Sequence, residues 1–469
     1  MEKFDYLVMD IGSTYTKQRV FKNGELVATA QAPTSLENVL IGIEKGQQDL
    51  KGQLAVETIQ ANHVLASSSA AGGLRMVAMG YMMRVTAKAA KEVAMNSGSK
   101  ILEILSNEDA DDYKVQVLKE IRPDIILLAG GTDGGDEESA INNAQIIVQS
   151  EVKATVIVAC NLNAQRQVAS VLREGKIAYV RVPNIMPTIH ELRVKESREA
   201  IHREFIKQIT KAKGLVAIQQ VITNDRIIPT PGAVLMAAEL LAKGTYQKEG
   251  YGSLIVIDLG GATTDIHSVI PEFDELDSEE RGLVVTNEKQ VSYRTVEGNL
   301  GMRISAMGVI DAVDPRIILE KKGMNTKENE QAFRDYCEKL EMEPEYLPQN
   351  DLEEEWDELI AITAIEVALK RHAGRIATDE DAFKGYVPGM PMGRDLRTVK
   401  TIICVGGIFA HSHPDKSQRI VDEALKNKGG FLLPYTYKVI IDKDYMLFAG
   451  GSVQEQNKED AFEIMSKTI

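Results

Sequence analysis

Short apolar runs separated by glycine-containing turns open the chain and return near its middle. The run DYLVMD (5–10) is followed by a polar turn, by TKQRVF, by Asn23-Gly24 and by ELVATAQ. Because Asn-Gly tolerates the positive φ angles of a two-residue hairpin, this pattern predicts three antiparallel strands. The pattern recurs in SLIVID (253–258) and DIHSVI (265–270), which indicates two related halves.

The stretch between these hairpins alternates short apolar strands with helices. We predict strands at about 63–68, 124–129, 155–159 and 178–182, and helices at 143–150 and 165–174. Such alternation is typical of mainly parallel α/β structure. The segment PTPG (229–232) then begins a helical run that leads into the second hairpin. We place the boundary near Asp225, so that the predicted lobes are 1–225 and 226–469.

Composition limits the class of protein. With 469 residues the chain exceeds the size of one hydrophobic core, and 44% apolar and 26% charged residues are typical of a soluble globular protein. No apolar run reaches the roughly 18 residues of a membrane helix and no signal peptide is evident, so we expect a cytoplasmic protein. The formal charge of −15 argues against nucleic acid as a partner. Cys160, Cys337 and Cys404 lack the spacing of a metal site.

Several charged or glycine-rich stretches have more than one interpretation. The basic stretch 190–213 fits a solvated helix face, with a local basic patch as the alternative. The acidic stretch 325–372 also fits a solvated helix face, with a partner surface as the alternative. The loop GGTDGGD (130–136) follows a strand and precedes a helix, an arrangement that binds anions. Its carboxylates would repel phosphate, so we predict a strand-end turn, with a partner or metal contact as the alternative. Residues 384–396 are predicted to form an exposed loop.

The first candidate site is the turn that follows the first strand. Gly12 lets the backbone approach a phosphate closely, and Ser13 and Thr14 offer hydroxyl and N–H donors to its oxygens. Tyr15 completes the turn. Asp10 faces the same place, and a carboxylate beside phosphates requires a cation such as Mg²⁺ with its waters between them. We therefore predict that Asp10 binds magnesium through water.

Two further turns complete the candidate set. The second, DLGGATTD (258–265), repeats the pattern of the first and is predicted to hold phosphates from the opposite side. The third, CVGGIF (404–409), joins a strand to a double glycine against which adenine can pack. Each of them could also be an ordinary turn, and it is their order along the chain that favours function.

This ordered set resembles the two phosphate motifs and the adenosine motif of the actin, heat-shock-70 and sugar-kinase ATPase superfamily. The resemblance implies an α/β fold of two actin-like (ribonuclease-H-like) lobes with a nucleotide cleft between them. Lobe I would carry the first phosphate motif, and lobe II would carry the second phosphate motif and the adenosine motif.

The phosphate turns are similar to those of heat-shock-70 proteins. By that resemblance Asp10, Asp258 and Asp265 arrange magnesium and its waters, and Thr263 touches the terminal phosphate, so these four residues are the predicted catalytic set. One difference is that Thr230 occupies the place of the catalytic glutamate of that family, which implies slow hydrolysis or another base. The predicted nucleotide-binding residues are Gly12, Ser13, Thr14, Tyr15, Gly260, Gly261, Ala262, Gly406, Gly407 and Ile408.

A narrower resemblance covers nearly the whole chain. It rests on DIGSTYTK, ASSSAAGGLRM (66–76), ILLAGGTDGGDEE (126–138), VPNIMP (182–187), YRTVEGNLGMR (293–303) and VGGIFAH (405–411). Together these segments are similar to the accessory, reactivating proteins of adenosylcobalamin-dependent glutamate mutase and related aminomutases. Such proteins often carry a name borrowed from DNA mismatch repair, whose ATPases have a different fold.

The resemblance implies a chaperone-like ATPase that uses ATP, ADP and Mg²⁺ to release or exchange damaged cobalamin. The implied partner is an adenosylcobalamin-dependent mutase of the glutamate mutase, ornithine or lysine aminomutase type. No cobalamin-binding signature is evident in this chain, so the cofactor would belong to the partner. A membrane partner is not expected, and a homo-oligomer is left open.

Other functions of the same fold remain as alternatives. A small-molecule kinase would use the same phosphate turns, although no general base for a substrate hydroxyl is evident. A filament-forming protein of the same fold is a third hypothesis. The activators of acyl-CoA dehydratases hold an iron–sulfur cluster through cysteines, which the scattered cysteines of this chain do not favour.

Overall fold

The computed structural model describes residues 3–12, 15–35, 38–69, 74–83, 86, 89, 93, 99–188, 193–211, 222, 227–270, 291–384 and 387–469. The chain divides into two compact units, Met1–Ala233 and Val234–Ile469. The boundary predicted near Asp225 falls outside the described residues.

The first sheet of the amino-terminal unit begins with the predicted hairpins. Its strands, numbered in chain order, are β1 (Lys3–Ile11), β2 (Tyr15–Lys22), β3 (Glu25–Pro33), β4 (Gln60–Ser68) and β10 (Ile227–Pro229). Their order across the sheet is β10-β4-β1-β2-β3. The β1, β2 and β3 strands are antiparallel, whereas β4 and β10 run parallel to β1. Asn23 and Gly24 join β2 to β3 with φ angles of 52° and 72°, which confirms the predicted turn.

A second, wholly parallel sheet lies in the sequence between β4 and β10. Its strands are β5 (Leu74–Met79), β6 (Ser99–Leu105), β7 (Ile125–Leu128), β8 (Thr155–Val158) and β9 (Ala178–Arg181). Their order is β6-β5-β7-β8-β9. The prediction of parallel α/β structure here is confirmed, but the sequence did not show that this segment builds a sheet of its own.

The parallel sheet is apolar on both faces. Ile125 and Leu127 of β7 contribute to one hydrophobic cluster, and Ile126 and Leu128 contribute to another. Helices that cover both faces of a parallel sheet explain why its central strand IILL lacks polar residues. The helices of this unit and the one that follows β10 are α1 (Leu40–Leu54), α2 (Asp111–Ile121), α3 (Glu138–Gln149), α4 (Gln165–Glu174), α5 (Lys195–Lys211) and α6 (Thr230–Lys243).

The carboxy-terminal unit repeats the order of the first sheet. Its main strands are β11 (Leu254–Leu259), β12 (Thr264–Val269), β13 (Ser292–Glu297), β16 (Thr401–Val405) and β17 (Lys438–Ile441), arranged as β13-β12-β11-β16-β17. Again the first three strands are antiparallel and the other two are parallel to the first. A small hairpin pairs β14 (Arg375–Ile376) with β15 (Pro391–Met392).

Helices of the carboxy-terminal unit include the two that form the predicted acidic stretch 325–372. They are α7 (Ala306–Ala312), α8 (Pro315–Glu320), α9 (Lys327–Met342), α10 (Asp351–His372), α11 (Gly407–Ala410), α12 (Pro414–Lys426), α13 (Met446–Val453) and α14 (Lys458–Ser466), with a 3₁₀ helix at Asp379–Lys384. The side chains of Thr326 and Asn350 accept backbone N–H bonds and begin α9 and α10. Helix α10 packs through Trp356 and Leu359 into the main core of this unit.

Matching strand order and direction in the two units confirm the predicted fold class of two α/β, ribonuclease-H-like lobes. The similarity lies in the first three strands, which form a meander, and in the two parallel strands beside it. Among the described residues, no helix is both long enough and apolar enough to cross a membrane.

Candidate functional site

Asp10 stands at the end of β1 in a polar pocket made by neighbouring strands. The residue is only 3% exposed. The register places Lys17 of β2 and Ser67 of β4 on either side of it. Ser67 Oγ donates to Asp10 Oδ1 at 3.1 Å, and Lys17 Nζ lies 3.5 Å from Oδ2. The carboxylate is therefore held in one orientation by hydrogen bonds and charge.

Thr230 reaches the same carboxylate from a distant part of the sequence. Strand β10 pairs with β4 so that Pro229 lies opposite Ser68, and α6 begins at the next residue. Thr230 Oγ1 donates to Asp10 Oδ1 at 2.5 Å. The segment that the resemblance aligned with a catalytic glutamate thus lies beside Asp10. A hydroxyl that donates its proton to a carboxylate is not a general base for water.

The turn after Asp10 depends on glycine. The Gly12 N–H donates to the Tyr15 carbonyl oxygen at 3.1 Å. A Cβ at position 12 would lie 2.5 Å from that same oxygen, too close for any other residue without displacement. Tyr15 is partly exposed at the start of β2. Ser13 and Thr14, predicted to contact phosphate, lie outside the described residues.

The second turn is built in the same way in the carboxy-terminal unit. Asp258 ends the buried run of β11 and lies opposite Asp265 of β12. The Gly260 N–H donates to the Thr263 carbonyl oxygen at 2.9 Å, the same closing bond as in the first turn. The intervening residues of the turn are half-buried. The shared geometry explains why the two sequence motifs match in spacing.

Asp265 is held by an ion pair that reaches it from β13. Arg294 donates from Nε to Asp265 Oδ1 at 2.8 Å, and its NH2 atom lies 2.6 Å from the same oxygen. Thr263 Oγ1 donates to Asp265 Oδ2 at 3.1 Å. Both side chains of the ion pair are nearly buried. The predicted catalytic pair Thr263 and Asp265 is therefore brought together, with an arginine that the motif did not include.

The third turn packs directly against the second. Strands β11 and β16 are parallel neighbours, with Asp258 opposite Val405. Gly406 has a φ of 130°, and a Cβ there would lie 2.1 Å from the Leu259 carbonyl oxygen. Gly407 is exposed and Ile408 is half-buried at the start of α11. The structure thus joins the predicted second phosphate turn and the predicted adenosine turn within one unit.

Two other charged residues of the YRTVEGNLGMR segment form structural ion pairs. Arg303 NH2 lies 2.8 Å from Asp357 Oδ2, and the Tyr336 hydroxyl donates to Asp357 Oδ1 at 2.9 Å. Glu297 Oε2 lies 2.5 Å from Arg371 NH1. Both residues therefore belong to structural salt bridges.

The carboxylates of the turns suit a hard cation that binds through water. Carboxylate oxygens are preferred by Mg²⁺, which commonly keeps several of its waters. One oxygen of each carboxylate already has a cationic partner. Lys17 lies beside Asp10 Oδ2, and Arg294 pairs with Asp265 Oδ1. In the described part of the chain, no group of three or more His, Cys, Asp or Glu side chains is placed to hold a metal ion directly.

The three cysteine thiols have the features of unreactive thiols. All three thiols are buried, and burial raises the pKa of Cys160 to about 12 and those of Cys337 and Cys404 further. Because the thiolate is the reactive form, such thiols are poor nucleophiles and poor metal ligands.

Sequence reasoning missed the residues that orient the carboxylates. Ser67 and Lys17 contact Asp10, and Arg294 contacts Asp265. One sequence signal could have indicated Ser67. It is the run of serines at 67–69, which lies at the end of the strand adjacent to β1. The pairing itself depends on strand register, which a single sequence does not show.

Comparison with known proteins identifies the family. The sequence model of the MutL protein family matches residues 6–469. Protein MutL of Clostridium tetanomorphum is 37% identical over 475 positions, which cover 99% of this chain and 99% of that protein. The chain belongs to the MutL protein family. The resemblance to accessory proteins of glutamate mutase is thereby confirmed at the level of the family.

Solved structures show weaker likenesses to this MutL family member. Component A of (R)-2-hydroxyglutaryl-CoA dehydratase from Acidaminococcus fermentans is 10% identical with a TM-score of 0.31, covering 98% of this chain and 100% of that one. Nucleotide-free acetone carboxylase is 14% identical with a TM-score of 0.33, covering 65% of this chain and 49% of that one. These TM-scores are too low to establish a common fold.

Proposed function

We propose that this protein is a chaperone-like, ATP-dependent reactivating factor for an adenosylcobalamin-dependent amino-acid mutase. It promotes release or exchange of damaged cobalamin from the mutase, and the cobalamin site belongs to the mutase and not to this chain. The observation that carries the proposal is the repeated turn, in which an aspartate ends a strand and a glycine N–H closes the loop in both units. Membership of the MutL protein family supports the choice of partner.

In this proposal the repeated turns bind the phosphates of ATP. Asp10, Asp258 and Asp265 hold Mg²⁺ through water, and Thr263 contacts the terminal phosphate. Bound magnesium would neutralise phosphate charge beside these carboxylates. The third turn, Gly406 to Ile408, receives the adenine. The backbone N–H groups of the turns and the hydroxyls of the first turn supply the remaining donors.

We expect slow hydrolysis by the protein alone. Asp10 is contacted by the hydroxyls of Ser67 and Thr230 and by the Lys17 ammonium group. None of these three groups suits the removal of a proton from water, because hydroxyls are too weakly basic and an ammonium group has no acceptor. Stimulation by the bound mutase would then set the timing of ATP turnover.

ATP acts on the mutase through a difference in affinity between two states. A ligand shifts a conformational equilibrium only as far as it binds one state more tightly than the other. ATP and ADP would favour different conformations of this protein, and these conformations would bind the mutase with different strengths. The energy of hydrolysis is thus coupled to loosening of the partner, and no cobalamin chemistry occurs on this chain.

The test is ATP hydrolysis with Mg²⁺, alone and with a cobalamin-inactivated aminomutase of the glutamate, ornithine or lysine type. Asp10→Asn and Asp258→Asn keep one acceptor oxygen and remove the charge. We expect each to lower stimulated hydrolysis by about a hundredfold or more and to abolish recovery of mutase activity. The matched control is Asp49→Asn, an exposed aspartate on α1, which should behave as wild type.

Each outcome separates one function from another. Recovery of mutase activity that needs ATP and fails in both variants supports reactivation. Transfer of phosphate from ATP to a small metabolite, without any recovery, would instead establish the kinase alternative. Release of labelled cobalamin from the inactivated mutase, compared with uptake by the apo-mutase, distinguishes removal of the cofactor from its loading.

A further inference from the structure

A cavity opens at the carboxyl edge of the parallel sheet in the amino-terminal unit. It has a volume of about 470 Å³ and lies beside the ends of β7, β8 and β9. In open α/β sheets this edge is where ligands bind, and ligand pockets have volumes of about 300–1,000 Å³. Three charged residues line it, Asp133, Arg181 and Arg193, beside Leu162, Pro183 and Asn184.

Buried amide side chains hold the walls of this cavity rigidly. Asn184 is 3% exposed, and its Nδ2 atom donates to the Gly131 carbonyl and to Asp133 Oδ1. Asn161 is fully buried and donates to the carbonyls of Gly135 and Asp136. The GGTDGGD loop is thus tied to the ends of β8 and β9. A site whose groups are fixed before binding loses less entropy when the ligand arrives.

Gln165, which also lines the cavity, orients Arg181, one of its two arginines. It is 2% exposed, and its Nε2 atom donates to the carbonyls of Cys160 and Val182 at 3.1 and 2.8 Å. Its Oε1 atom, pointing the other way, accepts from Arg181 Nε at 3.3 Å. Among the described residues this is the one hydrogen bond of the Arg181 guanidinium, and its two terminal nitrogens have no partner there. They present the fork geometry that suits a carboxylate.

Asp133 supplies a negative charge to the same cavity. Its Oδ1 atom accepts from the Leu162 N–H and from Asn184 Nδ2, both at 2.9 Å, and these bonds fix the side chain. Among the described residues its Oδ2 atom has no hydrogen-bond donor. Burial raises the pKa of the nearby Cys160 thiol, and among the smaller effects Arg181 lowers it and Asp133 raises it.

We propose that this cavity binds a free α-amino acid. Arg181 receives the α-carboxylate, Asp133 receives the α-ammonium, and the apolar surfaces of Leu162 and Pro183 contact the side chain. A zwitterion matches a cavity that presents charges of both signs, whereas a phosphate or a simple dicarboxylate would pair with Arg181 but carries no cation for Asp133. None of these residues belongs to the phosphate or adenosine turns, so the inference goes beyond the proposed function.

The test is calorimetric titration of the full-length protein, without nucleotide, with each of the twenty proteinogenic amino acids at millimolar concentration. For any amino acid that binds, the deamino acid and the decarboxylated amine are titrated beside it, together with inorganic phosphate. We expect binding that weakens about 10- to 100-fold when either charged group is removed, the range expected for a charge-assisted hydrogen bond.

Variants locate the site. Arg181→Gln and Asp133→Asn should each weaken binding by a similar factor, and Asp133→Asn keeps an acceptor oxygen for Leu162 and Asn184. Arg173→Gln, which removes an exposed arginine of α4 bonded to Tyr179, is the matched control and should leave binding unchanged. Melting temperatures check that each variant is folded.

Three results would overturn the inference: no amino acid binds, the deamino acid binds as well as the amino acid, or phosphate binds more tightly through Arg181. Asp10→Asn should leave amino-acid binding intact. Failure of the nucleotide proposal is therefore distinguishable from failure of this one.

Discussion

The buried histidine of β12 predicts a specific loss of stability in mild acid. His267 is fully buried, and neither ring nitrogen has a hydrogen-bond partner among the residues that the structure describes. Burial lowers the pKa of His267 to about 3, and the nearby Arg294 lowers it too, while Asp265 acts in the opposite direction. The imidazole is therefore neutral in the folded protein from neutral pH down to about pH 4.

The sign and size of the effect follow from proton linkage. In the unfolded chain the pKa of a histidine is about 6.5. Below that pH the imidazole is protonated in the unfolded state but remains neutral in the folded state. The stability is complete above about pH 6.5 and falls as the pH falls toward 3. Each pH unit below 6.5 costs about 1.4 kcal/mol, so the loss from this one residue is about 1.4 kcal/mol at pH 5.5 and roughly 2.7 kcal/mol at pH 4.5.

The assay is denaturant unfolding of wild type and His267→Leu at about pH 7.5 and pH 5.5. Leucine fills a similar volume and does not titrate, so the wild type should lose about 1.4 kcal/mol more than the variant between the two conditions. At pH 7.5 the variant should be at least as stable, because it removes two unpaired polar atoms. His411→Gln, at an exposed position, is the control and should follow wild type. Equal pH dependence in wild type and His267→Leu would refute the reasoning, since the imidazole would then accept a proton in the folded state.

Further predictions concern an ion pair, a glycine and the thiols. Arg294→Met leaves the buried Asp265 carboxylate unpaired and should cost about 3–5 kcal/mol in denaturant unfolding, with most of it restored by adding Asp265→Asn. A loss below about 1 kcal/mol would show that water replaces the arginine. Gly406→Ala, which places a Cβ 2.1 Å from the Leu259 carbonyl oxygen at a φ of 130°, should lower both the melting temperature and ATP affinity. Gly407→Ala meets no atom within 4 Å and should leave the melting temperature unchanged, so an equal fall in both would contradict the steric argument. The three cysteines should resist a thiol reagent at pH 8 in the folded protein and react on unfolding; rapid reaction of any one would contradict its raised pKa.

Local chemistry made much of the fold predictable. A two-residue hairpin turn needs positive φ angles, which asparagine and glycine tolerate. Asn23 and Gly24 form such a turn in the structure. The predicted helix at 165–174 agrees with the helix Gln165–Glu174, and the PTPG segment begins α6 as predicted. These features depend on residues close together in the chain, so one sequence is enough to read them.

The separate parallel sheet could not be predicted from the sequence alone. Apolar runs such as IILL (125–128) indicated buried strands, but nothing local states which strands pair. Strand β5 pairs with both β6 and β7, so the order of the strands across the sheet differs from their order along the chain. The carboxyl-edge cavity follows from that order, since it needs the ends of three strands side by side.

The sequence by itself determined the two glycine turns, the aspartates that precede them and the resemblance that they carry. Only the tertiary structure decided which groups meet those aspartates. Asp10 is contacted by Ser67 and by Thr230, and Asp265 is contacted by Arg294 from another strand. The physical reason is that a turn forms from neighbouring residues, whereas a carboxylate is oriented by partners that strand register and sheet order bring to it.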